Sequence, residues 1–124
     1  MKVRSLRPAH VDARGAILDI LTQVNIDAIT LITSKKGAVR GNHYHKRTVQ
    51  YTYLISGRLS YLTSGKSGRV ARRVMAPGDI VESPPGETHT FVALRDSVFL
   101  SLSRGPRRGF DYEKDTYRLP KPLA

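Results

Sequence analysis

His43 and His45 stand two positions apart in the stretch GAVRGNHYHKRTVQYTYLISG, which runs from Gly37 to Gly57. Gln50 follows five residues later, and His89 comes in a turn rich in proline and glycine. Successive side chains of an extended strand point to opposite faces, so His43 and His45 share one face and Tyr44 takes the other. Three neutral imidazoles with one carboxamide oxygen suit a divalent transition metal: Fe, Mn, Ni, Zn or Cu. The spacing therefore predicts a metal set of His43, His45, Gln50 and His89. An imidazole can also carry protons, since its ordinary pKa of about 6.5 lies close to neutrality. On that chemistry His45 or His43 is a candidate general base, with the cation of Arg40 nearby on the same strand. A nitrogen bound to metal cannot take a proton, so the two chemistries compete for the same atoms. The plain alternatives are histidines that bond to one another and an Arg40 that is a solvated strand-end charge.

These residues need rigid strands beneath them, and the chain supplies candidates throughout. The segment AILDILT after Gly15 reads as a strand, followed by Ala28–Thr33, Val39–His45 and Val49–Ile55. Ser56-Gly57 turns tightly into Arg58–Thr63, where Leu59, Tyr61 and Thr63 share a face. Arg69–Met75, Ile80–Ser83, His89–Leu94 and Ser97–Ser103 complete the series. Residues 1–13 are expected as an arm or edge strand, and Asp111–Thr116 as at most one helical turn before the prolines. Eight or nine short strands with glycine and proline turns indicate an all-β antiparallel sandwich or barrel. Tyr51 and Tyr53 fall on the face opposite Gln50, which suits sheet packing or a dimer interface. Tyr61, on the barrel side, needs a polar partner for its hydroxyl, and Phe91 belongs in the core.

Composition narrows the function classes. A chain of 124 residues makes one domain, with a core of about 12–104, an N-terminal arm and a basic tail. No apolar run is long enough to span a membrane, no secretory leader opens the sequence, and cysteine is absent. Those features point to a cytoplasmic protein. The formal charge is +11. It is spread along the chain and comes with no recognition helix, RNA-binding aromatic strand or basic tract, so nucleic acid is not the expected partner. A phosphorylated small molecule fits better. Arg104, Arg107 and Arg108 could grip a diphosphate, or simply form a solvated basic tail.

The motif spacing resembles the cupins, small jelly-roll barrels also described as double-stranded β-helices. Their first motif is matched by Gly37, His43, His45, Gln50 and Gly57, with Gln50 in place of the usual glutamate. The second is matched by Gly78, Pro84-Pro85-Gly86 and His89, with Ala93 where asparagine usually stands. Losing the glutamate charge weakens a metal site of this kind. Asp12-Ala13-Arg14-Gly15, Arg40-Gly41-Asn42-His43, Lys46, Gln50 and Asp111-Tyr112 further resemble the sugar-nucleotide branch of the superfamily. That branch holds dTDP-4-dehydrorhamnose 3,5-epimerases and dTDP-sugar 3,4-ketoisomerases, which work without metal, a histidine moving protons next to a ketone. The resemblance implies an isomerase or epimerase of a sugar or sugar nucleotide, with His45 or His43 as the base and Arg40 steadying the enediolate beside a carbonyl. The rival readings are a metal-dependent dioxygenase and a non-enzymatic ligand-binding cupin. A homodimer is expected, because small barrels with apolar outer strands tend to pair.

Overall fold

Short β-rich segments broken by turn residues cannot bury their apolar sides alone, so they stack as two facing sheets. The computed structural model describes residues 1–105 and 111–124. Its strands are β1 (Lys2–Ser5), β2 (His10–Asp12), β3 (Gly15–Ile17), β4 (Ala28–Ser34), β5 (Val39–Tyr44) and β6 (Val49–Ser56). They continue as β7 (Leu59–Ser64), β8 (Val70–Met75), β9 (Asp79–Ser83), β10 (His89–Ala93) and β11 (Ser97–Arg104). A single helical turn, α1 (Asp111–Lys114), and the short β12 (Tyr117–Arg118) close the chain. One five-stranded sheet has the order β1-β9-β6-β11-β4 and the other β12-β5-β10-β7-β8. All pairings are antiparallel, and the crossovers between the sheets make a jelly roll.

Most of the expected strands form within a residue or two of their anticipated ends. The N-terminal arm is an edge strand, with Lys2 to Ser5 paired to Glu82 through Asp79. AILDILT is the main correction: only Gly15–Ile17 is strand, and it pairs solely with β2 in a separate hairpin. Val11 and Ile17 remain 66% and 60% exposed there, so no core face rewards extending the strand to Thr22. Arg14 donates to Asp12 Oδ2 at 2.7 Å and holds that hairpin's turn. The 3.2 to 3.4 Å contacts from Arg14 Nε complete the fork, and the Asp12 carboxyl is lowered to about 2 by it.

The apolar core gathers at one end of the sandwich. Leu54, Leu59, Met75, Val81, Phe91 and Phe99 are buried there with Tyr61. Tyr61 is fully buried and finds the partners its hydroxyl requires, Ser83 Oγ at 3.1 Å and Glu87 Oε1 at 3.2 Å. Its pKa is raised above the ordinary phenol value, chiefly by burial. The opposite end of the sandwich is left for polar side chains. No helix among the described residues is long and apolar enough to cross a membrane.

Candidate active site

β5 carries Arg40 and His43, His45 sits just past its end, and β10 begins at His89. Antiparallel pairing sets His43 directly opposite His89. That register needs a bulge between His89 and Thr90 and a close approach at Gly41. Gly41 has φ of +99°, and a Cβ there would stand 2.5 Å from the His89 carbonyl oxygen. Only glycine fits both demands.

The three imidazoles converge. Ring centroids lie 4.8 Å apart for His43 and His45, 4.7 Å for His43 and His89, and 5.2 Å for His45 and His89. All three are buried, and one ligand atom from each falls within 4.8 Å of the others. Burial pushes the His43 pKa down to about 4, with the neighbouring His45 and Arg118 adding to it. Burial likewise pushes His89 down to about 3, with His43 and His45 acting in the same direction. The Glu87 backbone opposes that shift, yet neither His89 ring nitrogen reaches hydrogen-bond geometry with a partner among the described residues. Both rings are therefore neutral at pH 7. A neutral imidazole is the form that ligates a metal.

His45 is oriented from outside the sheet. Its Nδ1 donates to the Asp115 carbonyl oxygen at 2.9 Å. A carbonyl only accepts, so in the neutral ring the lone pair sits on Nε2. The Asp115 carboxylate, itself 1% exposed, caps the turn after His45. It accepts the Thr48 hydroxyl at 2.7 Å and the N–H groups of Thr48 at 2.9 Å, Lys46 at 3.1 Å and Arg47 at 3.1 Å. Burial alone would raise this carboxyl; the bond from Thr48 and the backbone donors outweigh it and lower the pKa.

A cavity of 660 Å³ opens between β4 and β5, and His43, His89, Gln50 and Arg40 all line it. His45 is not in that lining; its ring packs against the other two. Gln50 engages its amide nitrogen on Thr52 Oγ1 at 3.2 Å, which leaves its oxygen for a ligand. Arg40 is tethered rather than loose: Nε donates to Ser34 Oγ at 2.7 Å and Nη2 to the Thr33 carbonyl at 2.9 Å. Arg118 of β12 lines the same cavity and is paired with Glu113 at 3.2 Å. Sequence reasoning passed over Arg118 and Asp115, which sit in a polar segment with no pattern to single them out. Arg104 is exposed at the end of β11. Arg107 and Arg108 lie outside the described residues, as do the side chains of Asp111 and Tyr112.

Comparison with known proteins adds a lineage to this geometry. Residues 30–102 match the family model described as Cupin domain. A curated relative is the UDP-2-acetamido-2,6-beta-L-arabino-hexul-4-ose reductase of Pseudomonas aeruginosa, 28% identical over 89% of this chain. The chain spans only 30% of that reductase. Among solved structures, the dTDP-4-dehydrorhamnose 3,5-epimerase of Sulfolobus tokodaii is similar with a TM-score of 0.75 and 20% identity. The alignment covers 92% of this chain and 73% of the epimerase. A sugar 3,4-ketoisomerase from Thermoanaerobacterium thermosaccharolyticum, solved with TDP, gives 0.78 at 18% identity, covering 95% and 87%. Likeness at this level of identity speaks for the shared fold.

Proposed function

The chain belongs to the cupin domain family, a fold that fixes no single reaction, and from its site we propose an isomerase or epimerase of a sugar or sugar nucleotide. The carrying observation is the cavity itself, walled on one side by buried neutral imidazoles and flanked by the guanidinium groups of Arg40 and Arg118. Arg40, held by neutral partners, and Arg118, which shares its charge with Glu113, favour an anionic substrate such as a nucleoside diphosphate sugar. That the similar folds include an epimerase and a ketoisomerase solved with TDP supports the same substrate class.

The reaction requires removal of a proton from carbon beside a carbonyl and its return at a neighbouring position. His43 faces the cavity and is the residue placed to reach substrate, while Nε2 of His45 carries the lone pair that the Asp115 carbonyl leaves it. Arg40, held by Ser34 and Thr33, offers a fixed positive charge for the enediolate. The donor set also fits a divalent metal, with His43, His45 and His89 as ligands and the Gln50 oxygen as a fourth. Such an ion would polarise the substrate carbonyl as a Lewis acid. The protein is proposed to act in the cytoplasm as a homodimer.

Incubation in deuterium oxide with a dTDP-4-keto-hexose tests the reaction. Deuterium entering the carbon next to the ketone, and its loss in His43→Asn or His45→Asn, is the expected result. Oxygen uptake without exchange would replace this reading with a dioxygenase, a reading favoured by the three-histidine cluster. Elemental analysis is expected to find about one equivalent of divalent metal per chain, removed by chelator and absent from His89→Ala.

A further inference from the structure

The cavity wall opposite the histidines carries a second pattern that neither ligates metal nor moves protons. On β11, Phe99, Ser101 and Ser103 alternate on the inner face. The register sets Thr30 of β4 and Thr52 of β6 on either side of Ser101, and Ala28 and Gln50 on either side of Ser103. One row further, Ile32, Phe99 and Leu54 form the apolar floor. The sheet thus passes from apolar floor to hydroxyl row to serine and carboxamide row, facing His43 and His89 across the cavity.

Ser101 and Ser103 are only 8% and 4% exposed. Neither side-chain hydroxyl bonds to another described residue, and the same is true of Thr30. Neither serine oxygen is sealed from solvent, so both lie open to the cavity and to a ligand within it. Their small size also keeps the cavity open. Successive inward positions on a strand lie about 6.6 Å apart, close to the breadth of a hexose ring with its hydroxyls.

Resting on the sugar reading above, we infer that Ser101 and Ser103, with Thr30 beside them, are the specificity-determining residues that read the substrate's ring hydroxyls. The hexose turns its hydroxyl-bearing side to β11 and β4 and its reacting carbon to the imidazoles. A site built to bond a substrate hydroxyl discriminates strongly against the analogue that lacks it, because the protein group is then left unpaired.

Calorimetric binding of dTDP-glucose and its 2-deoxy, 3-deoxy and 6-deoxy counterparts to the wild type, Ser101→Ala and Ser103→Ala tests this. Each variant should leave the thermal midpoint nearly unchanged, since the hydroxyl faces the cavity and bonds to no other described residue. Each should bind dTDP-glucose about three- to tenfold more weakly, the worth of one hydrogen bond. One deoxy counterpart should bind wild type and variant alike, identifying the hydroxyl that serine reads. Equal losses for every probe, or none, overturn the inference. Failure of the wild type to bind any of the four overturns it together with the sugar reading. Hydroxyl-dependent binding without deuterium exchange sustains it while removing the proposed reaction.

Discussion

At the scale of single residues, Asp115 shows how one buried carboxylate can serve a site it does not enter. Its side chain satisfies three consecutive backbone N–H groups and the Thr48 hydroxyl, while its carbonyl fixes the tautomer of His45. Asp115→Ala strands those donors and should cost about 2–4 kcal/mol in urea denaturation. Asp115→Asn separates charge from shape, since one oxygen still accepts. The folded pKa lies below the unfolded value, so this group's contribution is complete above the unfolded pKa, near the usual carboxylate range. It is lost as pH falls through the lower folded value. The variant should therefore be less stable at pH 7 and show a shallower acid limb in stability measured from pH 7 downward. An unchanged acid limb would mean that other carboxylates set it.

Among the elements, the pairing of β5 with β10 places the chemistry, and Gly41 is where that pairing is most constrained. Gly41→Ala meets both an unfavourable φ and the His89 carbonyl. It should lose about 2–4 kcal/mol by urea melting and lose metal content and exchange activity together, because His89 moves with β10. Retained His89 function in a destabilised protein would show that the bulge absorbs the strain. The same elements explain what could be read in advance. The convergence of His43, His45 and His89, and the place of Gln50 on the same cavity, follow from strand alternation and motif spacing, which are local rules. AILDILT has the composition of a strand, yet only its first two residues pair, in the β2–β3 hairpin, because no larger sheet receives the rest. Arg118 and the serines of β11 reach the cavity only through pairings with strands far away in sequence, β12 with β5 and β11 with β4 and β6. No local periodicity reports such partners.

For the whole molecule, two surface properties remain to be accounted for: a charge of +11 and an apolar outer face. On the proposed sugar-nucleotide reading this charge would draw the anionic substrate to the cavity that Arg40 and Arg118 line, so affinity for dTDP should fall steadily as salt rises from low to physiological strength. The outer face of the β1-β9-β6-β11-β4 sheet presents Ile29 at 66% exposure, Leu31 at 64% and Ile55 at 44%. The register places Leu102 and Leu100 beside Ile29 and Leu31, with Tyr51 and Tyr53 on the next strand. Contiguous apolar surface of this kind on a sheet with a free edge is usually covered. A second copy is the simplest cover, because a two-fold axis matches the patch to itself. Such a pairing would bring two strongly cationic chains together, so burial of this face would have to outweigh their repulsion. Sedimentation of the wild type should thus show a dimer that tightens with salt, the opposite trend to dTDP binding. Ile29→Glu should sediment as a monomer with its cavity intact, since Ile29 is 66% exposed and takes no part in the cavity lining. A wild type that is monomeric at every salt concentration would refute the pairing and leave the face for another partner.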